Sequence, residues 1–131
     1  MAAKKSLFLV MFLGVALSLC VVGTLQGQDI TPALEQEFLD ARTALAKAQE
    51  AQGEKYSAEN MEKARDLLSV AENVRSLKDG AQFAQASRLA RAYAELARAV
   101  TELKIEQEKL AAANEDLKKV KAEIEGLKQG R

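Results

Sequence analysis

Residues 81–125 read AQFAQASRLARAYAELARAVTELKIEQEKLAAANEDLKKVKAEIE, and this run holds neither glycine nor proline. It is built mostly from Ala, Leu, Glu, Lys and Arg, the residues that lose least on entering a helix. One unbroken helix is therefore expected from Ala81 to Glu125. At a rise of 1.5 Å per residue it would be ~65 Å long. Leu89, Leu96, Leu103, Leu110, Leu117 and Ile124 recur along it every seven residues. With these as d positions of a heptad, the a positions are Ala86, Tyr93, Val100, Gln107, Asn114 and Lys121.

The first half of that pattern is a good apolar seam. The second half carries polar a positions, and an asparagine at such a site specifies register and dimerisation at a cost in stability. Leu103, Leu110, Asn114, Leu117 and Ile124 are accordingly the candidate self-association seam. A second line through Ala113, Val120 and Leu127 competes with it. The plainer reading is a solvated helix held by local pairs. Glu115–Lys119 is attractive and Glu102–Glu106 repulsive, each worth ~0.2–0.5 kcal/mol.

Upstream, two shorter helices are expected. Thr31-Pro32 pairs an N-cap with a proline at the first helical position, where the missing N–H costs nothing. Leu34, Phe38, Ala41, Leu45 and Ala48 then form one stripe, and Gly53 is the expected C-terminal stop. Ser57 is placed to cap a second helix, with Tyr56 and Met61 as its hydrophobic staple. Met61, Ala64, Leu68, Ala71 and Val74 carry the stripe to about Leu77. Gly80 is the expected end of that helix, and Asp79 with Gln82 the cap of the next. Connections this short make successive helices antiparallel neighbours. Ala44, Ala48 and Ala51 on the first helix, and Ala86, Ala90, Ala94 and Ala97 on the third, let backbones approach closely. The third helix should overhang its partners from near Lys104.

The N-terminus is a different polymer. Lys4 and Lys5 precede LFLVMFLGVALSLCVV at residues 7–22, the pattern of a secretory signal. Three fates remain open. The segment is cleaved as a signal peptide, it is retained as an anchor, or Cys20 is lipidated. Leu17-Ser18-Leu19-Cys20 resembles the bacterial lipobox, although Leu19 stands where a small residue is usual. The expected architecture is all-α: an antiparallel three-helix hairpin or bundle, with the long third helix protruding as a coiled coil and a signal or anchor helix in front. The expected divisions are residues 1–27 as signal or anchor, 28–102 as alanine-rich bundle and 103–131 as charged helical tail.

Composition narrows function. Lys plus Arg and Asp plus Glu number 19 each. Without Lys4 and Lys5 the remainder holds 17 bases against 19 acids, a balance of −2. That is no footprint for nucleic acid, and no basic run precedes the heptads as a DNA-binding zipper requires. Histidine is absent and Cys20 is the single cysteine, so neither the usual general base nor a soft metal site is on offer. No enzyme, cofactor or metal role is expected.

Gly53, Tyr56, Ala64, Leu67, Leu68, Ala71, Gly80, Phe83, Ala86, Leu89, Ala90, Ala94 and Ala97 follow a pattern of alanine-rich helix, glycine, tyrosine, second helix, glycine turn, aromatic and spaced alanines. In this, residues 41–99 resemble an alanine-rich helical domain of unknown function found in bacterial envelope proteins, many of them lipoproteins. Ser57-Ala58 stands where the family has Ala-Pro, and Phe83 where it has tyrosine. Some members carry an OmpA-like domain, which these residues do not contain. The resemblance implies residence in the periplasm or cell envelope and imports no activity.

The expected function is that of an exported, non-catalytic helical scaffold or partner-binding module. Its partner would be an envelope protein or a second copy of the chain, with membrane contact through the N-terminal segment if that is lipidated or retained. One alternative is a spacer of the murein-lipoprotein kind, although Lys128-Gln129-Gly130-Arg131 lacks the terminal lysine which that type uses. The other is a carrier of a small lipid or ligand near Phe38, Met61, Phe83 and Tyr93. Arg88, Arg91 and Arg98 make a basic stretch, expected to be offset by Glu95 and Glu102.

Overall fold

A computed structural model describes residues 29–130, and among them every regular element is helical. The order is α1 (Pro32–Glu50), α2 (Gly53–Tyr56), α3 (Ala58–Ser76) and α4 (Gly80–Gln129). The leader and Cys20 lie outside the described residues.

Cross-contacts fix the directions. Glu37 and Asp40 meet Arg88 and Arg91, so α1 and α4 run parallel. Arg75 at the end of α3 reaches Glu35 at the start of α1, so α3 runs against both. At the other end, Ala48, Met61 and Ala97 form one cluster.

Alanine makes the joints. Ala41, Ala48, Ala64, Ala71, Ala90, Ala94 and Ala97 are completely inaccessible. Side chains this small bring helix axes to the short end of the usual 8–10 Å range. Larger residues fill the ends. Phe38 and Phe83 pack with ring centroids 5.5 Å apart, joined by Leu68 and Val74. Ser87 and Thr101 also lie buried on α4. Each donates its hydroxyl one turn back, to the carbonyls of Phe83 and Ala97 at 2.8 Å. They therefore sit in the seam with no unpaired polar atom.

The turns use other residues than the glycine pattern suggests. Gln52 (φ 71°) and Lys78 (φ 57°) adopt the left-handed conformation, and no described glycine does. Gly53 opens α2 instead of ending α1, and it is buried. A Cβ there would lie 2.7 Å from the Ala48 carbonyl oxygen and 2.7 Å from Met61 Sδ. Glycine is required at this point for close approach of two chain segments, not for its dihedral freedom. Gly80 likewise begins α4.

Caps divide in the same way. Thr31 Oγ1 accepts from Leu34 N at 3.3 Å and Asp79 Oδ1 from Gln82 N at 3.0 Å, as their spacing predicts. Ser57 sits at the N-cap of α3 but accepts from the Asn60 side chain at 2.9 Å, and no backbone N–H is capped by it.

The long helix runs 50 residues to Gln129, ~75 Å at the standard rise. Gly126 does not interrupt it. The last ties to the bundle come from α2. Lys104 Nζ donates to the Tyr56 carbonyl at 2.5 Å, and the Tyr56 hydroxyl donates to Glu108 Oε2 at 2.7 Å. Beyond Glu108 every described side chain is exposed.

Candidate functional site

The α4 residues that pack on α1 and α3 are Phe83, Ala86, Ser87, Ala90, Ala94, Ala97 and Thr101. Apart from the adjacent Ala86 and Ser87, they recur at intervals of three and four, which keeps them on one face. The heptad leucines are elsewhere. Leu89 is 42 % exposed and Leu96 46 %, so the first half of the leucine pattern is not the bundle seam. At 100° per residue the leucines lie between about 120° and 180° around the helix from Thr101. The physical reason is size. The facing surfaces of α1 and α3 present alanines, and only an alanine face on α4 can meet them at close range.

The stripe therefore runs along the outside of the bundle and on into the overhang. Leu103, Leu110, Leu117 and Ile124 are all 46–63 % exposed. They share one side of the helix, and Asn114 is exposed at its edge. Ala113, Val120 and Leu127, the competing line, are exposed on the opposite edge. Val120 and Leu127 add large apolar surface there, at 50 % and 75 % exposure. Local ion pairs run along the same stretch of α4. Lys109–Glu106 at 2.7 Å, Lys118–Glu115 at 2.8 Å and Lys119–Asp116 at 3.5 Å all span three residues. These replace the Glu115–Lys119 pair that the four-residue rule suggests.

The basic stretch is neutralised more fully than sequence spacing implies. Glu37 accepts two hydrogen bonds from Arg88, at 2.7 and 2.9 Å. This pairing holds the Glu37 carboxyl below its ordinary pKa of 4.5, the Arg88 hydrogen bond being the chief cause, and it raises Arg88. Arg91 pairs with Glu95 at 2.7 Å and lies 3.8 Å from Asp40; Arg98 pairs with Glu102 at 3.1 Å. A groove of about 290 Å³ between α1 and α4 is lined by Asp40, Thr43, Ala44, Lys47, Arg91, Glu95 and Arg98. An anion drawn to Arg91 or Arg98 would have to displace carboxylates already bound to these guanidinium groups.

Phe38, Met61 and Phe83 lie in the core with at most 3 % of their surface exposed, and Tyr93 is half-buried. Among the described residues, no group of three or more His, Cys, Asp or Glu is placed to hold a metal ion. No described helix is long and apolar enough to cross a membrane.

The links Glu37–Arg88 and Tyr56–Glu108 join residues 51 and 52 positions apart. No local signal in the sequence could have paired them. No protein-family model matches the chain, and no curated protein or solved structure does.

Proposed function

We propose that this chain is a non-catalytic, exported cell-envelope protein in which a small alanine-jointed bundle holds out a long helix for a partner to bind. The observation that carries the reading is the exposed leucine stripe on α4. Eleven large apolar side chains of the described residues are at least 42 % exposed, and eight of them lie on this one helix. Contiguous exposed apolar surface on a small protein marks an interaction site. Export is read from the apolar segment at residues 7–22 behind Lys4 and Lys5, and membrane attachment through Cys20 or a retained segment belongs to the same proposal. The protruding part of α4 is read as a coiled-coil segment, and the resemblance at residues 41–99 supports an envelope setting.

The test is the size of the native assembly. In detergent extracts of envelopes, the parent chain should sediment as a complex larger than one copy. Leu110→Lys with Leu117→Lys should reduce that complex while helical content stays unchanged, because neither side chain touches the bundle. An unchanged complex would overturn the binding role of the stripe. Recovery of the unprocessed chain from the cytosol alone would overturn export.

A further inference from the structure

We infer that the occupant of the stripe is a second copy of this chain, docked parallel and in register along α4. The inference rests on the reading of α4 as a docking helix and names its partner.

The seam is not the one that puts Asn114 inside. Leu96, Leu103, Leu110, Leu117 and Ile124 serve as a positions, and the residues three further on are the d positions. Those are Ala99, Glu106, Ala113, Val120 and Leu127. All ten are exposed, and nine are apolar. Glu106 is the exception, and Lys109 holds its carboxylate at 2.7 Å on the same helix. In this register Gln107, Asn114 and Lys121 leave the core for its flank.

The flanks select orientation. In a parallel pair each g residue faces the e residue five positions on in the partner. Asp116 then meets Lys121 of the other copy, and Glu123 meets Lys128. Glu102 faces Gln107, and Lys109 faces Asn114. By symmetry this makes four attractive ion pairs and no like-charged flanking pair. Among the described residues Lys121 and Lys128 form no ion pair within the chain. The antiparallel alignment of greatest overlap sets Leu96 against Leu127. It opposes Glu102 to Glu123 twice and Lys109 to Asp116 twice, so its repulsions cancel its attractions.

Space and area are adequate. The bundle lies on the far side of α4, joined through Ala90, Ala94 and Ala97, and does not obstruct a second helix. From Leu96 to Leu127 the stripe is ~48 Å long, and a ~11 Å wide strip on each copy sums to ~1,100 Å², above the ~1,000 Å² of a specific interface. A seven-residue repeat drifts ~20° per heptad on a straight helix, which left-handed winding of the two copies removes.

The experiment places single cysteines at Leu96→Cys, Leu110→Cys and Ile124→Cys in the full-length chain, treated in envelope membranes with a short bis-maleimide. The parent chain with Cys20 is the blank, and Lys119→Cys, on the far side of α4, is the control. All three stripe positions should link to a second copy, roughly tenfold more than the control for an effective local concentration set by the docked helix. Asp116→Lys should weaken dimerisation roughly tenfold, and adding Lys121→Asp should restore it.

Linking at Leu110→Cys alone indicates an antiparallel pair and overturns the inference. Products whose mass is one copy plus a different polypeptide also overturn it, while leaving α4 a docking helix. No linking at any stripe position removes both readings. An Asp116→Lys chain that dimerises as well as the parent overturns the register. Far-ultraviolet circular dichroism on each variant confirms that α4 is intact.

Discussion

Replacing Gly53 with alanine adds one methyl group at the tightest point of the fold. Its Cβ would sit 2.7 Å from the Ala48 carbonyl oxygen, 2.7 Å from Met61 Sδ and 3.2 Å from Met61 Cγ. The carbonyl belongs to the last turn of α1 and cannot retreat without opening that turn. Met61 is flexible, but it is completely buried against Ala48, Ala97 and Leu45, so its displacement must shift those neighbours. Overpacking of this kind costs ~1–3 kcal/mol. Removing a glycine from the unfolded chain contributes ~0.4–1 kcal/mol in the other direction. No described glycine has positive φ, so no dihedral penalty adds to the steric one. The net expectation is a loss of about 1–2 kcal/mol, a fall in melting temperature of roughly 5–15 °C for a domain near 100 residues. Circular dichroism melts of parent and Gly53→Ala chains measure it. An equal or higher melting temperature would refute the claim that two segments meet there without room for a side chain.

Gly126→Ala is the matching control. A Cβ there has nothing within 4 Å, so the change should only raise the helicity of the overhang, by the ~1 kcal/mol propensity difference in a helix interior. Ellipticity at 222 nm checks it, and a decrease would contradict an open helical site. Ala94→Leu should destabilise the bundle by ~1–3 kcal/mol, whereas Leu89→Ala, at an exposed leucine outside the proposed seam, should change bundle stability by under ~0.5 kcal/mol, reversing the usual ranking of these residues. Urea unfolding of both variants decides the matter, and a larger loss for Leu89→Ala would mean the leucines are the core. Glu106→Leu should strengthen self-association by removing the one charged layer of the stripe, as read by sedimentation equilibrium; weaker association would count against the proposed seam. Glu37→Gln should lower the melting temperature at neutral pH. The folded-state carboxyl is held below its ordinary pKa by Arg88, so its contribution is present above the unfolded value and lost as pH falls through the folded one. The gap between parent and variant should therefore close under acid, and a gap that persists or widens there would refute the Arg88 link.

Much of the local structure was legible. The run without glycine or proline placed α4, the three- and four-residue apolar spacing placed α1 and α3, and Thr31, Pro32 and Asp79 marked starts that the structure keeps. Gly53 and Gly80 were legible as turn residues but not in their roles, since a glycine needed for close approach and one needed for a left-handed turn look the same in a sequence. Gln52 and Lys78 carry the left-handed residues with no compositional sign. Of the candidate site, the heptad leucines were legible as a stripe, but whether they pointed inward was not.

That distinction separates what the chain's order of residues determined from what packing decided. Helix identity and the seven-residue repeat follow from local propensity and spacing, which act within one or two turns. α4, however, has two faces that could be buried, one of alanines with Phe83 and one of leucines. Local physics favours neither, and hydrophobicity alone favours the leucines. Only the surfaces of α1 and α3 break the tie: their own alanines accept an alanine face at close range, and the leucines are left outside for another helix.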